Sequence, residues 1–218
     1  MEFAILVGSC DKYNYLWNHF NYIFHKYWDN AIDVKKYIIT QEFDANLHKF
    51  ETIKVKNGTF SVGVKKALDK IKTKNILWLQ DDYFLRRYLL LEEMQTYYDF
   101  FISNKAGRFG IHDDSTFYAK LPVYGNIYKF HQQSLYTISL QASFWNTDFL
   151  YDCFDKDNEE DPWQFEVDGS QRLNNNCLHR IFFASQEKPW YLEACRKGKF
   201  TEDFYNICKQ EGINANIA

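Results

Sequence analysis

The chain has 218 residues, a formal net charge of −3 and a hydrophobic fraction of 46%, a composition typical of a globular domain with its own core. Its 26 basic and 29 acidic residues argue against a nucleic-acid partner, which would call for a basic face or tail. The longest apolar runs fall far short of the roughly 20 residues of a transmembrane helix, and five cysteines without a CxxC motif indicate reduced thiols and a cytoplasmic location.

The first half of the chain alternates predicted strands with predicted helices. Phe3 to Gly8 is a continuous apolar run, the pattern of a strand that is buried on both faces. Similar short runs predict strands over 34–40, 52–55, 75–79 and 109–111, and apolar residues at helical spacing predict helices over 13–27, 64–71 and 90–101. This order predicts an α/β fold with a mainly parallel sheet flanked by helices.

The second half of the chain is less regular. Residues 118–124 and 127–131 flank Gly125-Asn126, which predicts a β-hairpin, and short helices are predicted to begin at Thr147, Asp161 and Thr201. No repeat, low-complexity tract or linker divides the sequence, so we expect a single domain over 1–218.

Acidic residues follow two of the predicted strands. Ligands of parallel sheets bind beyond the carboxyl ends of the strands, which points to Ser9-Cys10-Asp11 and to Asp81-Asp82. Adjacent carboxylates there either cap a turn or hold Mg²⁺ or Mn²⁺ together with substrate phosphates. No GxGxxG, P-loop, GxSxG or HExxH motif offers another chemistry.

Four segments together resemble GT-A-fold glycosyltransferases: SCDKYNYLW from Ser9, NILWLQDDYFL from Asn75, SLQASFW from Ser139 and EEDPWQFEVDGSQR from Glu159. Their order and spacing are similar to those of small transferases of capsular-polysaccharide clusters and of large DNA viruses of the chlorella-virus type, which glycosylate their own capsid protein. They touch most of the chain, from residue 9 to about 172.

The resemblance implies a GT-A-like fold with a nucleotide-sugar-binding half over 1–112 and an acceptor-binding half over 113–218. It implies transfer of a hexosyl or deoxyhexosyl group from a nucleotide-diphosphate sugar, with a UDP-sugar favoured, to a glycan acceptor. The reaction would depend on Mn²⁺ or Mg²⁺ and invert the anomeric centre. A viral member would carry its acceptor on a surface or capsid glycoprotein and act in the host cytoplasm.

The resemblance also assigns donor-binding residues. GT-A enzymes end their central strand in a D-x-D element, which here reads Gln80-Asp81-Asp82 and so has an amide in its first place. On this pattern Asp82 binds the metal, and Asp81 contacts the ribose or joins the metal shell. The remaining residues implied to contact the nucleoside, base or phosphates are Cys10, Asp11, Phe60, Ser61 and Arg172, with an ordinary salt bridge as the equal alternative for Arg172.

An inverting transferase needs a carboxylate that removes the acceptor proton. The resemblance places Glu166, the acid of a W-x-F-E element, in the acceptor site, and Asp161 is the second candidate. Asp161 also begins an Asp-Pro-x-Gln sequence, which predicts a helix N-cap with a capping box. Either Trp145 or Trp163 is expected to stack on the acceptor and the other to lie in the core.

Several alternatives remain open from the sequence. His179 either ligates the metal or packs structurally, and His112-Asp113-Asp114 either caps a loop or forms a second metal site. A nucleotidyltransferase acting on a sugar phosphate would carry a glycine-rich basic loop after the first strand, which SCDKYNYLW lacks. A non-catalytic carbohydrate-binding module would bind its ligand equally well in EDTA.

Overall fold

The computed structural model describes residues 1–56, 58–111, 120–130, 136–173, 180–184 and 189–215. The strands are β1 Ala4–Gly8, β2 Lys36–Thr40, β3 Glu51–Lys54, β4 Asn75–Gln80, β5 Tyr83–Leu85, β6 Arg108–Gly110, β7 Lys120–Tyr124, β8 Ile127–Phe130, β9 Ser143–Asn146, β10 Ile181–Ala184, β11 Tyr191–Glu193, β12 Cys195–Arg196 and β13 Lys199–Phe200. The helices are α1 Asn14–Tyr27, α2 Phe60–Lys70, α3 Leu91–Ser103, α4 Thr147–Cys153, α5 Pro162–Arg172 and α6 Glu202–Glu211.

Nine strands form one sheet in the order β3-β2-β1-β4-β9-β6-β10-β8-β7. The first four run parallel, and β10 runs parallel to β6. Strand β9 is inserted antiparallel between β4 and β6, while β7 and β8 form an antiparallel hairpin at one edge. The predicted mainly parallel sheet flanked by helices is confirmed, with β9 as an addition that the sequence patterns did not predict.

The sheet buries both of its faces, which explains the continuous apolar runs. In β1, Ile5 and Val7 belong to the core on the side of α1, α3 and α6, whereas Ala4 and Leu6 belong to the core on the side of α2, α4 and α5. Successive side chains of a strand point to opposite faces, so a strand between two helical layers must be apolar at every position. Because both faces of the sheet are covered, a ligand can reach it only at the ends of the strands, and the cavity described below lies at the carboxyl ends of β1, β2 and β4.

Helices α4, α5 and α6 begin close to where the sequence predicts them. Each has a side-chain N-cap that accepts a hydrogen bond from a backbone N–H of the first turn: Asn146, Asp161 and Thr201 respectively. The hairpin β7–β8 turns at Gly125, whose φ of 53° is one that glycine adopts readily. No helix in the described ranges is long and apolar enough to cross a membrane.

Candidate active site

A cavity of about 430 Å³ opens at the carboxyl ends of β1, β2 and β4. Its wall toward β2, β3 and α2 is apolar and comprises Ile39, Val55, Phe60, Gly63 and Val64. Its wall toward β4 is charged and comprises Asp81, Asp82, Glu193 and Lys197. The volume lies within the range of small-molecule sites, and the two walls suit a ligand with an apolar part and an ionic part.

The indole of Trp78 lies against the end of β1 and lines the cavity. A Cβ atom at Gly8 would lie 2.5 Å from the Trp78 ring, so no larger residue fits there without moving the ring. Trp78 Nε1 donates to the carbonyl of Leu140 at 3.0 Å, which fixes the indole in its plane. Gln80 Nε2 donates to the same carbonyl at 3.1 Å. The end of β4 is thereby tied to the segment that precedes β9.

Asp81 is buried and bound to the loop after β1. Its Oδ2 accepts hydrogen bonds from the Ser9 hydroxyl and from Trp17 Nε1, the latter at 3.2 Å. Only 4% of the residue is exposed, and this burial raises the pKa of the carboxyl to about 7 despite the two donors. Asp81 thus joins the end of β4 to the loop after β1 and to α1.

Asp82 has a buried carboxylate oxygen that lacks a hydrogen-bond partner in the described part of the chain. Among the described residues nothing donates to its Oδ1, while Ala194 N–H donates to its backbone carbonyl at 2.7 Å. Burial, followed by the charges of Asp81 and Glu193, raises the pKa of its carboxyl to about 8. Buried polar atoms are rarely left unsatisfied, so this oxygen is the best candidate ligand atom of the site.

The donor set at the end of β4 fits a hard divalent cation. The described residues contain no group of three or more His, Cys, Asp or Glu side chains arranged to enclose a metal. Mg²⁺ and similar ions are commonly held by one or two carboxylates and take their other ligands from water and substrate phosphates. Asp82, with Asp81 beside it, would hold such an ion, as the sequence predicts.

Asp11 links the loop after β1 to the loop after β2 through hydrogen bonds. Its carboxylate accepts from the backbone N–H groups of Gln41, Glu42 and Phe43 at 2.9, 2.7 and 3.2 Å. Its own N–H donates to Gln41 Oε1 at 2.6 Å. Gln41 and Cys10 line the cavity, whereas Asp11 lies behind them. Burial raises the pKa of the Cys10 thiol, and the negative charge of Asp81 is the second cause. A nucleoside contact of Asp11 or Cys10 stays a prediction.

Ser61 and Arg172 both bind Glu160, the residue that precedes the N-cap of α5. Ser61 Oγ accepts from Glu160 N–H at 2.9 Å, and Ser61 N–H donates to the Glu160 carbonyl at 3.1 Å. Arg172 Nη2 donates to Glu160 Oε1 at 2.6 Å and to the carbonyl of Cys153 at 3.0 Å. The ion pair of Arg172 with Glu160 corresponds to the ordinary salt bridge that the sequence left open as the alternative to a diphosphate contact. Neither Ser61 nor Arg172 lines the cavity, although Phe60 does, so their phosphate contacts stay predictions.

Asp161 and Glu166 both bind backbone groups. Asp161 forms the predicted capping box, in which Asp161 Oδ1 accepts from Gln164 N–H at 2.8 Å and Gln164 Oε1 accepts from Asp161 N–H at 2.9 Å. Glu166 Oε1 accepts from Leu140 N–H at 2.6 Å, and Leu140 lines the cavity. Glu166 therefore stands one residue behind the wall, and its role as a base stays a prediction.

The two tryptophans differ in exposure. Trp145 is wholly buried in the core, whereas 66% of Trp163 is exposed beside Pro162, which lines the cavity. Trp163 is therefore the one that remains available to an acceptor. His179 and the segment His112-Asp113-Asp114 lie outside the described residues, so their alternatives stay open.

The sequence analysis missed the contribution of the segment after β11. Glu193, Cys195, Lys197 and Gly198 line the cavity although about 110 residues separate them from Asp82. The pairing of β11 with β5 brings them there, because β5 follows directly on Asp82. A Lys-Gly turn between two short segments is the only local signal of this hairpin.

No protein-family model matches the chain, and no curated protein matches its sequence. The fold is similar to that of S. aureus TarS 1-349 in complex with UDP-GlcNAc, with a TM-score of 0.55, 14% identity, and coverage of 96% of this chain and 65% of that one. It is also similar to CMP-2-keto-3-deoxy-manno-octonic acid synthetase complexed with CTP, with a TM-score of 0.54, 12% identity, and coverage of 97% and 100%. The chain thus spans less than two thirds of TarS 1-349, and likeness at this identity shows the fold alone, a GT-A-like nucleotide-binding fold.

Proposed function

We propose that the protein is a divalent-metal-dependent glycosyltransferase that transfers a hexosyl or deoxyhexosyl group from a nucleotide-diphosphate sugar to a glycan. The observation that carries the proposal is the buried oxygen of Asp82, a cavity-lining residue at the end of β4, which has no hydrogen-bond partner among the described residues. A carboxylate in that setting is stabilised by a cation, and a cation there suits a ligand with phosphates. UDP is the favoured nucleotide because TarS of similar fold was solved with UDP-GlcNAc and with UDP.

The cavity walls suggest how the donor lies. The apolar wall that includes Ile39, Val55 and Val64 suits the nucleoside, and the charged wall at Asp82 suits the diphosphate. A bound Mn²⁺ or Mg²⁺ would supply charge neutralisation to the leaving nucleoside diphosphate. Asp81, held by Ser9 and Trp17, keeps the end of β4 in position for this role.

For the acceptor step we propose Glu166 as the base, with Asp161 second. The acceptor hydroxyl oxygen attacks the anomeric carbon, Glu166 takes the hydroxyl proton, and the nucleoside diphosphate leaves with the electrons of the broken C–O bond. The Leu140 N–H orients the Glu166 carboxylate next to the cavity wall. Trp163, exposed at the start of α5, offers a face for an acceptor sugar, which a surface or capsid glycoprotein would carry in a viral setting.

A nucleotidyltransferase acting on a sugar phosphate is the second candidate. The fold likeness to CMP-2-keto-3-deoxy-manno-octonic acid synthetase spans nearly the whole of both chains, which favours it. The loop after β1 favours the glycosyltransferase instead. Only Ser9 and Cys10 separate Gly8 from the 3-10 turn Asp11–Tyr13, and the Lys12 ammonium lies 5.8 Å from the Tyr13 ring centroid. This loop has neither the glycines nor the length for cradling a triphosphate.

The products of the reaction separate the two candidates. Purified protein is incubated with UDP-, GDP-, CDP- and dTDP-sugars, or with UTP or CTP plus sugar phosphates, in Mn²⁺ or in EDTA. The proposal predicts Mn²⁺-dependent release of a nucleoside diphosphate from a nucleotide sugar. Release of pyrophosphate from a nucleoside triphosphate would establish the alternative, and sugar binding that is unchanged by EDTA, with no turnover, would contradict both.

A further inference from the structure

The turn between β12 and β13 places a lysine on the charged wall of the cavity. Lys197 and Gly198 form this turn, with φ angles of 52° and 73°. Positive φ at both central residues is the type I′ geometry, in which the second position favours glycine. Both residues line the cavity, whereas Lys199 on the same hairpin does not.

The hairpin is fixed to the segment that carries the acidic pair. Strand β11 pairs with β5, and Ala194 N–H donates to the Asp82 carbonyl at 2.7 Å. On the other side of the hairpin, Thr201 N–H donates to the Ala194 carbonyl at 3.0 Å. The backbone of Lys197 therefore has a defined position relative to Asp82, although its side chain is exposed.

Lys197 is the only lysine or arginine among the described residues that line the cavity. Its neighbour Arg196 is engaged by Glu193, with Nε at 2.8 Å from Oε2. Lys197 itself has no hydrogen bond or ion pair with any residue of the described ranges, although Asp82 and Glu193 line the same wall. The Lys197 side chain is therefore available to an anionic ligand that enters the cavity beside these acids.

We propose that the Lys197 ammonium binds the diphosphate of the donor and supplies a positive charge from the protein in addition to that of the metal ion. A lysine ammonium is a compact charge with three donors, which suits the oxygens of a phosphate group. This inference rests on the proposed function, because it takes the diphosphate from a nucleotide-sugar donor. It adds a diphosphate-binding residue from the turn between β12 and β13 to the wall that carries Asp82.

Lys197→Gln tests this assignment, with Lys199→Gln as the matched control on the same hairpin. Titrations with UDP, UMP and uridine in Mn²⁺ measure affinity, by calorimetry for UDP and by NMR for the weaker ligands. We expect Lys197→Gln to weaken UDP binding by about tenfold or more and uridine binding not at all. The loss should shrink as the salt concentration rises, because the lysine is exposed to solvent. Lys199→Gln should bind all three ligands as the wild type does.

Three other outcomes would overturn the inference in distinguishable ways. Equal UDP affinity in Lys197→Gln and the wild type would remove Lys197 from the site and leave the proposed function standing. An equal loss for UDP and uridine would mean that the substitution acts through the shape of the wall. If the wild-type protein binds neither UDP nor UMP, the donor site itself is wrong, and the proposed function fails with the inference.

Discussion

The acidic residues around α5 and those at the end of β4 differ in whether their carboxylates have hydrogen-bond partners among the described residues. In the segment around α5, Asp161 accepts from Gln164 N–H and Glu166 accepts from Leu140 N–H, so each carboxylate has a backbone partner. At the end of β4, Asp82 keeps a buried oxygen without a partner in the described part of the chain. The first arrangement stabilises local structure, while the second raises the free energy of the ligand-free protein.

This difference indicates which acids the fold uses and which it leaves for a ligand. A buried carboxylate with a raised pKa, at the carboxyl edge of a parallel sheet, is a typical signature of a binding site. A capping carboxylate in a helix has a sufficient structural reason to be there. The following substitutions test whether hydrogen-bond satisfaction separates Asp82 from Asp161, and whether Glu166 acts as a base although it has a backbone partner.

The largest effect is expected from Asp82→Asn. The amide is nearly isosteric but carries no charge for a divalent cation, so transfer should fall by at least about 10²–10³-fold, which corresponds to several kcal/mol of barrier. Steady-state rates with a UDP-sugar and Mn²⁺ measure the loss. Asp161→Asn serves as the acidic control, since asparagine is also a good N-cap and should leave the rate near that of the wild type. Mn²⁺-dependent transfer by Asp82→Asn within threefold of the wild type would refute the assignment.

Glu166→Gln sharpens the comparison within the α5 segment. The glutamine oxygen can still accept from Leu140 N–H, so the wall and the melting temperature should be retained while the proton acceptor is lost. A general base contributes about 10²–10⁴-fold to rate, and we expect a loss in that range with unchanged UDP affinity. Should Glu166→Gln transfer normally and Asp161→Asn be inactive, the two roles would be reversed. Normal activity in both variants would place the base elsewhere, with Asp113 and Asp114 the next candidates.

Asp11→Ala should give a smaller effect on binding and a measurable one on stability. The substitution leaves the N–H groups of Gln41, Glu42 and Phe43 without their acceptor, which we expect to destabilise the fold by about 1–3 kcal/mol. Donor affinity should fall through displacement of Gln41, while the Mn²⁺ dependence stays the same. Denaturant unfolding and UDP titration measure the two quantities. If neither the unfolding free energy nor the UDP affinity changed, the hydrogen bonds of Asp11 would have no role in shaping the cavity.

The last prediction concerns stability as a function of pH. Burial and neighbouring charge raise the pKa of Asp82 to about 8, well above the value near 4 of an exposed aspartate, so the folded protein holds this proton more tightly than the unfolded chain. The stability that comes from this tighter protonation is complete below pH 4 and is lost as the pH rises toward 8.

The melting temperature of the metal-free wild-type protein should therefore fall between pH 5 and pH 8.5, by about 2–4 °C for each kcal/mol of lost unfolding free energy. Asp82→Asn lacks this ionisation and should lose less over the same interval. Asp81, whose pKa is raised to about 7, still ionises in the variant and keeps part of the slope. Parallel melting curves of the two proteins against pH would contradict the burial argument.

Local patterns account for what the sequence could predict. The apolar run of β4 ends at Asp81-Asp82, so the tendency of ligands to bind at the carboxyl edge of a parallel sheet is enough to locate the pair, and Asp-Pro-x-Gln carries the capping box of α5. Glu193 and Lys197 could not be located in this way. Strands β11 and β12 have only three and two residues, and their place follows from pairing with β5 across a long separation in sequence. The same holds for Arg172, whose partner Glu160 is fixed by the packing of α5 on α2.

The central claim is that the unpartnered oxygen of Asp82 is a metal ligand in the donor complex. Anomalous diffraction from crystals grown with UDP and Mn²⁺ tests it most directly, because the manganese signal locates the ion independently of the protein. The account predicts a single anomalous peak about 2.0–2.2 Å from a carboxylate oxygen of Asp82, in contact with the diphosphate. A UDP-bound crystal with no peak beside Asp82, or with the ion held by other residues, would contradict it.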